Sequence, residues 1–202
     1  MKKYLLVALT GLIGFQDVKA QAFEEGNSVV SVGYGLGLGY GRLLNAYSAY
    51  DGYKFSGFGP VALGYEYGLT DNIGLGLNVS YSSYGATWIQ SSAYDPFNVT
   101  EYDYKYRWST LAIMARGAYH FDIRNDDLDL YAGLGLGFLK FGYKWTSDDP
   151  TFNEENQNVS LGTPLGYQIF GGLRYYLSDN VGLYAEVGYG ISVLNAGLAF
   201  KF

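Results

Sequence analysis

The sequence predicts an all-β chain, an eight-stranded antiparallel up-and-down transmembrane β-barrel, on three observations. Apolar residues alternate with small or polar ones at a period of two along most of its length. The connections between these segments are short and long in turn, as in barrels with tight turns on one side of a membrane and longer loops on the other. The composition is 49% hydrophobic with 29 Gly, 22 Tyr and only 4 Pro. Its mean hydropathy of −0.02 is the neutral average of strands with one face in lipid, and it excludes a helical membrane protein. A secreted soluble β-sandwich accounts less well for strands whose second face is mainly Gly, Ser, Asn and Tyr.

The chain opens with Lys2 and Lys3, an apolar run from Tyr4 to Phe15, and small-residue sites at Val18-Lys19-Ala20 and Ala20-Gln21-Ala22. This is a secretory signal-peptide pattern. It is read as residues 1–20, with cleavage after Ala20 or Ala22, ahead of a barrel over 21–202. The run is too short for a membrane-crossing helix, which needs roughly 20 residues. Without cysteine there is neither a lipidation site nor a disulfide framework. Removing 1–20 leaves ten Lys and Arg against eighteen Asp and Glu, and a chain this acidic excludes nucleic acid as a partner.

Strands are predicted at 27–40, 57–67, 73–84, 104–121, 129–145, 164–177, 181–188 and 191–202. The first carries the glycine alternation from Gly33 to Gly39. In the second, Val61, Leu63, Tyr65 and Tyr67 oppose Ala62, Gly64 and Glu66; in the third, Ile73, Leu75, Leu77 and Val79 oppose Gly74, Gly76, Asn78 and Ser80. Arg116, Ala118 and His120 share the inner face of the fourth, and Gly133 to Gly137 repeats the glycine alternation in the fifth. Leu173 and Tyr175 flank Arg174 in the sixth, and Ala185 and Val187 flank Glu186 in the seventh. The glycine runs do not cradle a phosphate, because no helix-forming stretch follows either. Glycine on the inner face makes room in a narrow lumen.

Short connections fall at Thr70-Asp71-Asn72, 122–128 and Ser178-Asp179-Asn180, and long ones at 41–56, 85–103 and 146–163. Gly188-Tyr189-Gly190 departs from the scheme by being tight. Leu69 to Leu75 and Leu177 to Leu183 repeat one strand-turn-strand grammar, and Asp and Asn suit such turns. Two aromatic girdles are predicted. Tyr67, Tyr119, Phe121, Tyr131, Tyr175 and Phe202 lie near the short turns, and Tyr40, Tyr81, Tyr84, Trp108, Tyr143 and Trp145 near the long loops. Tyr47, Tyr50, Tyr53 and Trp88 lie beyond them, where a carbohydrate-stacking platform is an alternative.

Glu66, Arg116, Arg174 and Glu186 all fall on inward positions and are predicted to form a charged network inside the barrel. Facing lipid at the bilayer midplane would cost an arginine about 2 to 4 kcal/mol. Arg174 is expected opposite Tyr184, with Glu186 its diagonal neighbour on the same face. Such a network is either a plug or a charge gate. No catalytic or metal site and no cofactor is predicted: the only histidine is His120, and a single imidazole without cysteine makes a poor metal site. Asp95, Glu101, Asp103, Asp148, Asp149, Glu154 and Glu155 lack the spacing of a calcium loop and read as solvated loop charge.

The last eight residues, Asn195-Ala196-Gly197-Leu198-Ala199-Phe200-Lys201-Phe202, resemble the insertion signal of bacterial outer-membrane barrels in their spacing of Asn195, Gly197, Phe200 and Phe202. With the exported start, alternating strands and girdles, the chain resembles the small outer-membrane β-barrel family that includes OmpX and the OmpA transmembrane domain. The resemblance implies a monomer in the outer membrane of a Gram-negative bacterium, surrounded by outer-membrane lipids and lipopolysaccharide and delivered by the outer-membrane assembly machinery. It implies a structural, adhesive or defence role through extracellular loops. The alternative is a narrow porin-like channel for ions or small solutes, although eight strands enclose a lumen just wide enough for side chains. A membrane-lipid-modifying enzyme is a third reading, from which the sequence departs because Asp122, not serine, stands two residues after His120.

Overall fold

The computed structural model describes residues 22–37, 48–92, 100–152 and 159–202. The predicted signal peptide, and with it Tyr40, Tyr47, Asp95, Glu154 and Glu155, lies outside the described residues. Eight strands follow one another: β1 (Ser28–Gly37), β2 (Lys54–Thr70), β3 (Ile73–Ser92), β4 (Thr100–Phe121), β5 (Leu128–Ser147), β6 (Val159–Ser178), β7 (Val181–Tyr189) and β8 (Ser192–Lys201). Each is antiparallel to the next, and β1 pairs with β8 from Val29↔Lys201 to Gly37↔Ser192, so the sheet closes into a barrel. Closure satisfies the backbone within the sheet, the condition for crossing lipid with strands.

Exposure follows the period of two. On β3, Leu77, Val79 and Tyr81 are exposed while Asn78 and Ser80 between them are buried. Most large aliphatic side chains face outward as a belt, and the interior holds glycine, small polar residues and charge together with buried aromatic rings such as Trp88, Tyr131 and Phe170. The tight turns gain a shared clamp. In the β2–β3 turn the Asn72 side chain donates to the His120 carbonyl at 2.9 Å, and the His120 amide donates back to the Asn72 carbonyl. In the β6–β7 turn Asn180 does the same with Lys201, its side chain donating at 2.7 Å. The repeated sequence grammar thus ties each hairpin to the next strand.

Three expectations are corrected. The long connections are shorter than expected: β3 and β4 take most of 85–103, pairing as far as Ser92↔Thr100, while β5 and β6 take only the two ends of 146–163, pairing as far as Tyr143↔Val159. Polar Ser, Thr and Asp disguise a strand alternation that continues beyond the length lipid requires. Tyr131 is not a girdle residue but is 1% exposed inside the barrel, because inward parity outranks its nearness to a turn. Tyr84, Trp108, Tyr143 and Trp145 also occupy inward positions, and Trp88, 3% exposed, packs with Ala86, Tyr53, Tyr104, Tyr106 and Trp145 rather than forming an open platform. Tyr67, Tyr81, Tyr119, Phe121, Tyr175 and Phe202 are exposed on the outer face.

The register steps at several strand ends, and two further steps fall well within the strands and reset the parity there. In β2 the register steps between Phe58 and Val61, where Gly59 and Pro60 are both buried and the Gly59 amide donates to the Tyr34 hydroxyl at 2.6 Å. A proline, having no N–H for the ladder, is tolerated at such a step. Before it the even positions of β2 share the outer face with the odd positions that follow. A second step lies between β5 and β6 at Gly137/Leu139.

Candidate functional site: a charged plug across the lumen

Inward positions toward the short-turn end bring four strands' polar side chains together. His120 on β4 lies with Nδ1 2.7 Å from Asp129 Oδ1 on β5 and Nε2 2.9 Å from Glu66 Oε1 on β2. Arg174 on β6 donates through Nη1 to Asp129 Oδ2 at 3.0 Å and through Nη2 to Glu66 Oε2. Each carboxylate is therefore held by both the guanidinium and the imidazole. Next along the axis, Arg116 Nη2 donates to Glu186 Oε1 at 2.7 Å, and the Tyr131 hydroxyl donates to the same oxygen at 2.9 Å. Arg116 lies 3.5 Å over the Phe170 ring and Arg174 4.3 Å over the Tyr131 ring. Charges this far from water persist only when paired and hydrogen-bonded, as these are.

Glycine makes the layers possible by its size. A Cβ on Gly74 would come 2.2 Å from Glu66 Oε1, and one on Gly172 would come 2.7 Å from Tyr131 Cζ. Below the cluster, Phe23 stacks on His120 at 3.4 Å and 3° and is itself buried. Both imidazole nitrogens face carboxylates and one ring face is covered, so His120 offers no free lone pair to a substrate. Between the layers, the space bounded by Val29, Ser31, Arg116, Arg174 and Glu186 is about 20 Å³, on the scale of a single water.

All four predicted network residues lie inside, with Arg174 opposite Tyr184 and Glu186 opposite Gly172. The expected diagonal pair does not form among the described ion pairs: Arg174 reaches Glu66 and Asp129, and Glu186 takes Arg116. The sequence reading left His120, Asp129 and Tyr131 out of the network. The signal for the last two was the alternation 129, 131, 133 against exposed Leu130 and Leu134. Of the terminal residues, Asn195 is buried and accepts from the Tyr184 hydroxyl at 3.4 Å. Gly197 packs where a Cβ would meet the Val32 carbonyl at 2.0 Å. Phe200 shares the outer parity with exposed Phe202, whose backbone exchanges two hydrogen bonds with Ser28 at 2.9 and 3.1 Å, sealing the β1–β8 seam.

Toward the long-hairpin end, aromatic side chains fill the inward face. Trp88 stacks on Tyr104 at 6.0 Å and lies 6.3 Å from Trp145. Tyr104 donates to Asp149 Oδ2 at 2.9 Å. Burial and this bond push the Tyr104 phenol up, while Thr151, donating from hydroxyl and amide, holds the Asp149 carboxyl below its ordinary range.

The model of the outer membrane protein beta-barrel domain matches residues 5–195. No curated protein matches the sequence. Among solved structures, the chain is similar to the N-terminal β-barrel domain of Pseudomonas aeruginosa OprF, at 16% identity over 89% of this chain and 99% of that one, with a TM-score of 0.44. It is also similar to Yersinia pestis Ail, the attachment invasion locus protein, at 16% identity over 88% and 99%, TM-score 0.47. Pseudomonas aeruginosa OprG matches at 12% identity over 92% and 99%, TM-score 0.45. A match over nearly the whole length, on a chain that closes eight antiparallel strands around a polar interior, identifies this protein as a member of the outer membrane protein beta-barrel domain family.

Proposed function

We propose that the protein is a monomeric, non-conducting barrel of the Gram-negative outer membrane, and that its work is structural, adhesive or defensive rather than catalytic. The observation that carries this reading is the two-layer charged plug, which leaves about 20 Å³ between its members. A narrow solute channel would need those ion pairs to part. The strands β2 to β6, 17 to 22 residues long, exceed the roughly 9 to 11 that cross a bilayer. Their excess length therefore carries hairpins beyond the lipid, stiffened by the aromatic packing. Outer-membrane lipids, lipopolysaccharide among them, are its surroundings, and the assembly machinery is its partner during biogenesis.

The test is single-channel recording in planar bilayers, with urea unfolding in parallel, on the wild type, Arg174→Ala and Glu186→Ala. The expected result is a silent wild type and variants that lose stability without gaining defined conductance. Stepwise conductance by the wild type, or conductance in the variants with unchanged stability, overturns the plug in favour of a charge gate.

A further inference from the structure

The segment ahead of β1 turns back under the barrel instead of leaving it. Gly26 has φ 88°, a left-handed conformation that glycine adopts without strain, and the Asn27 amide donates to the Glu24 carbonyl at 3.2 Å to close the turn. The turn is pinned to the β2–β3 hairpin. The Gly26 amide donates to the Gly68 carbonyl and the Gly68 amide to the Asn27 carbonyl, both at 2.9 Å, and the Glu25 amide donates to Asp71 Oδ1 at 3.1 Å. A Cβ on Gly68 would come 2.3 Å from the Glu24 carbonyl oxygen, so this close approach needs that glycine. The reversal aims Ala22 and Phe23 into the lumen, where both are buried.

What Phe23 meets there is a cation. His120 Nδ1 faces Asp129 Oδ1 and Nε2 faces Glu66 Oε1. A carboxylate oxygen only accepts, so both ring nitrogens donate and the ring is an imidazolium. Charge balance agrees, because Glu66 and Asp129 share one guanidinium, that of Arg174, and the imidazolium offsets the second carboxylate. The Phe23 ring lies parallel over it, with 3.4 Å between centroids and 3° between planes. Two neutral rings prefer an offset or edge-on arrangement to a face-to-face one. A cation, by contrast, is drawn to the negative face of an aromatic ring. The arrangement is a seat for an aromatic side chain built on a charged imidazole.

The ring is also the last layer before water. A vestibule of about 200 Å³ opens beside it, lined by Phe23, Asp71, Asp122 and Asp126. His120 and Asp129 border the same space, yet only 2% and 3% of their surface is exposed. The bonds that pin the segment run from Glu24 to Asn27. The Phe23 side chain has no donor or acceptor, so packing and the imidazolium hold it, and the vestibule gives it room to swing clear. The expected cleavage after Ala20 or Ala22 would make Phe23 the third or the first residue of the processed chain, which places the ring on a free end.

We propose that the His120 face at the short-turn mouth is a binding site for the chain's own N-terminal segment, and that Phe23 seated there is a removable cork that keeps water off the charged plug. This rests on the plug reading above. The mature chain, from Gln21, is folded in detergent micelles with isotope-labelled histidine; it has one histidine, so every imidazole signal belongs to His120. The wild type should show two imidazole N–H protons at neutral pH, shifted by the Phe23 ring current and slow to exchange with water. In Phe23→Ala they should exchange on the order of 30-fold faster, as loss of a desolvated cation–π contact predicts, with heat-modifiable gel mobility unchanged. Phe23→Trp should keep the slow exchange, whereas Phe23→Leu, which fills the seat without a π face, should not. If Phe23→Ala does not fold, the contrast between Trp and Leu decides. Equal exchange in the wild type and Phe23→Ala, or in Phe23→Trp and Phe23→Leu, overturns the cork, and a single imidazole N–H proton in the wild type overturns the cationic seat. Conductance by a wild type that keeps these differences overturns the plug reading and leaves the cork standing.

Discussion

Arg174 is the residue on which the interior depends most, because it serves two carboxylates on two other strands. Removing one partner of a buried pair typically costs about 3 to 5 kcal/mol, since the other charge is stranded. Arg174→Ala strands both Glu66 and Asp129 and should reach that range in urea unfolding. Adding Glu66→Gln should recover part of the loss, and strict additivity in this double-mutant cycle would show that the pair does not interact. A smaller effect belongs to the turn asparagines. Asn180→Ala removes the bond to the Lys201 carbonyl and should cost about 1 kcal/mol, as should Asn72→Ala at the equivalent clamp. If either substitution is silent in urea unfolding, the repeated turn grammar is only local turn chemistry.

At the scale of elements, β8 both closes the barrel and carries the terminal pattern. Phe202 exchanges backbone bonds with Ser28 across the seam, so its deletion removes a seam contact as well as an aromatic address. Deleting Phe202 should leave unfolded periplasmic protein in cells. Phe202→Leu, which keeps the backbone bonds, separates the two roles: it should fold in detergent in vitro yet assemble poorly in cells, and wild-type assembly of both variants would refute the address. The β3–β4 hairpin should lie outside the cell, so a tag inserted between Ser92 and Thr100 should bind antibody on intact cells while one at Asp71 should not. The turn at Asp149 adds a pH signature. Thr151 favours the ionised carboxylate and lowers its pKa, so the turn's stabilisation is complete above the ordinary carboxylate value near 4 and fades as pH falls below it. The Asp149 carboxyl resonance should titrate below the ordinary carboxylate value near 4, and an ordinary value would show that the Thr151 bonds do not persist in solution.

For the whole molecule, the decisive asymmetry is strand length. β7 and β8 have 9 and 10 residues, enough for lipid and little more, while β3 to β6 have 20 to 22. The extension rests on the aromatic cluster around Trp88, and the membrane-level barrel rests on closure and the charged plug. The two should therefore fail separately. Trp88→Ala, a deletion that in a packed core costs about 3 to 5 kcal/mol, should expose 85–92 to protease and reduce the near-ultraviolet circular dichroism. Heat-modifiable mobility of the barrel should remain, and its loss would show that extension and barrel form one cooperative unit.

The local periodicity of the chain by itself determined the strand number, the short turns and the inward placement of Glu66, Arg116, Arg174 and Glu186, because side-chain alternation is a property of the extended backbone and needs no partner. The same rule, applied without exception, would also have put Asp129 and Tyr131 inside; the girdle reading of Tyr131 overrode it with distance from a turn. Parity breaks down at irregularities, so the outward face of Lys54 emerged only with the step at Phe58/Val61. The ion-pair partners were likewise beyond the sequence. Register along one hairpin predicted Arg174 beside Glu186, but closing the sheet brought it to Glu66, 108 residues away. Alternation decides which side of the sheet a charge occupies, while the curvature and closure of eight strands decide which charges meet across the lumen.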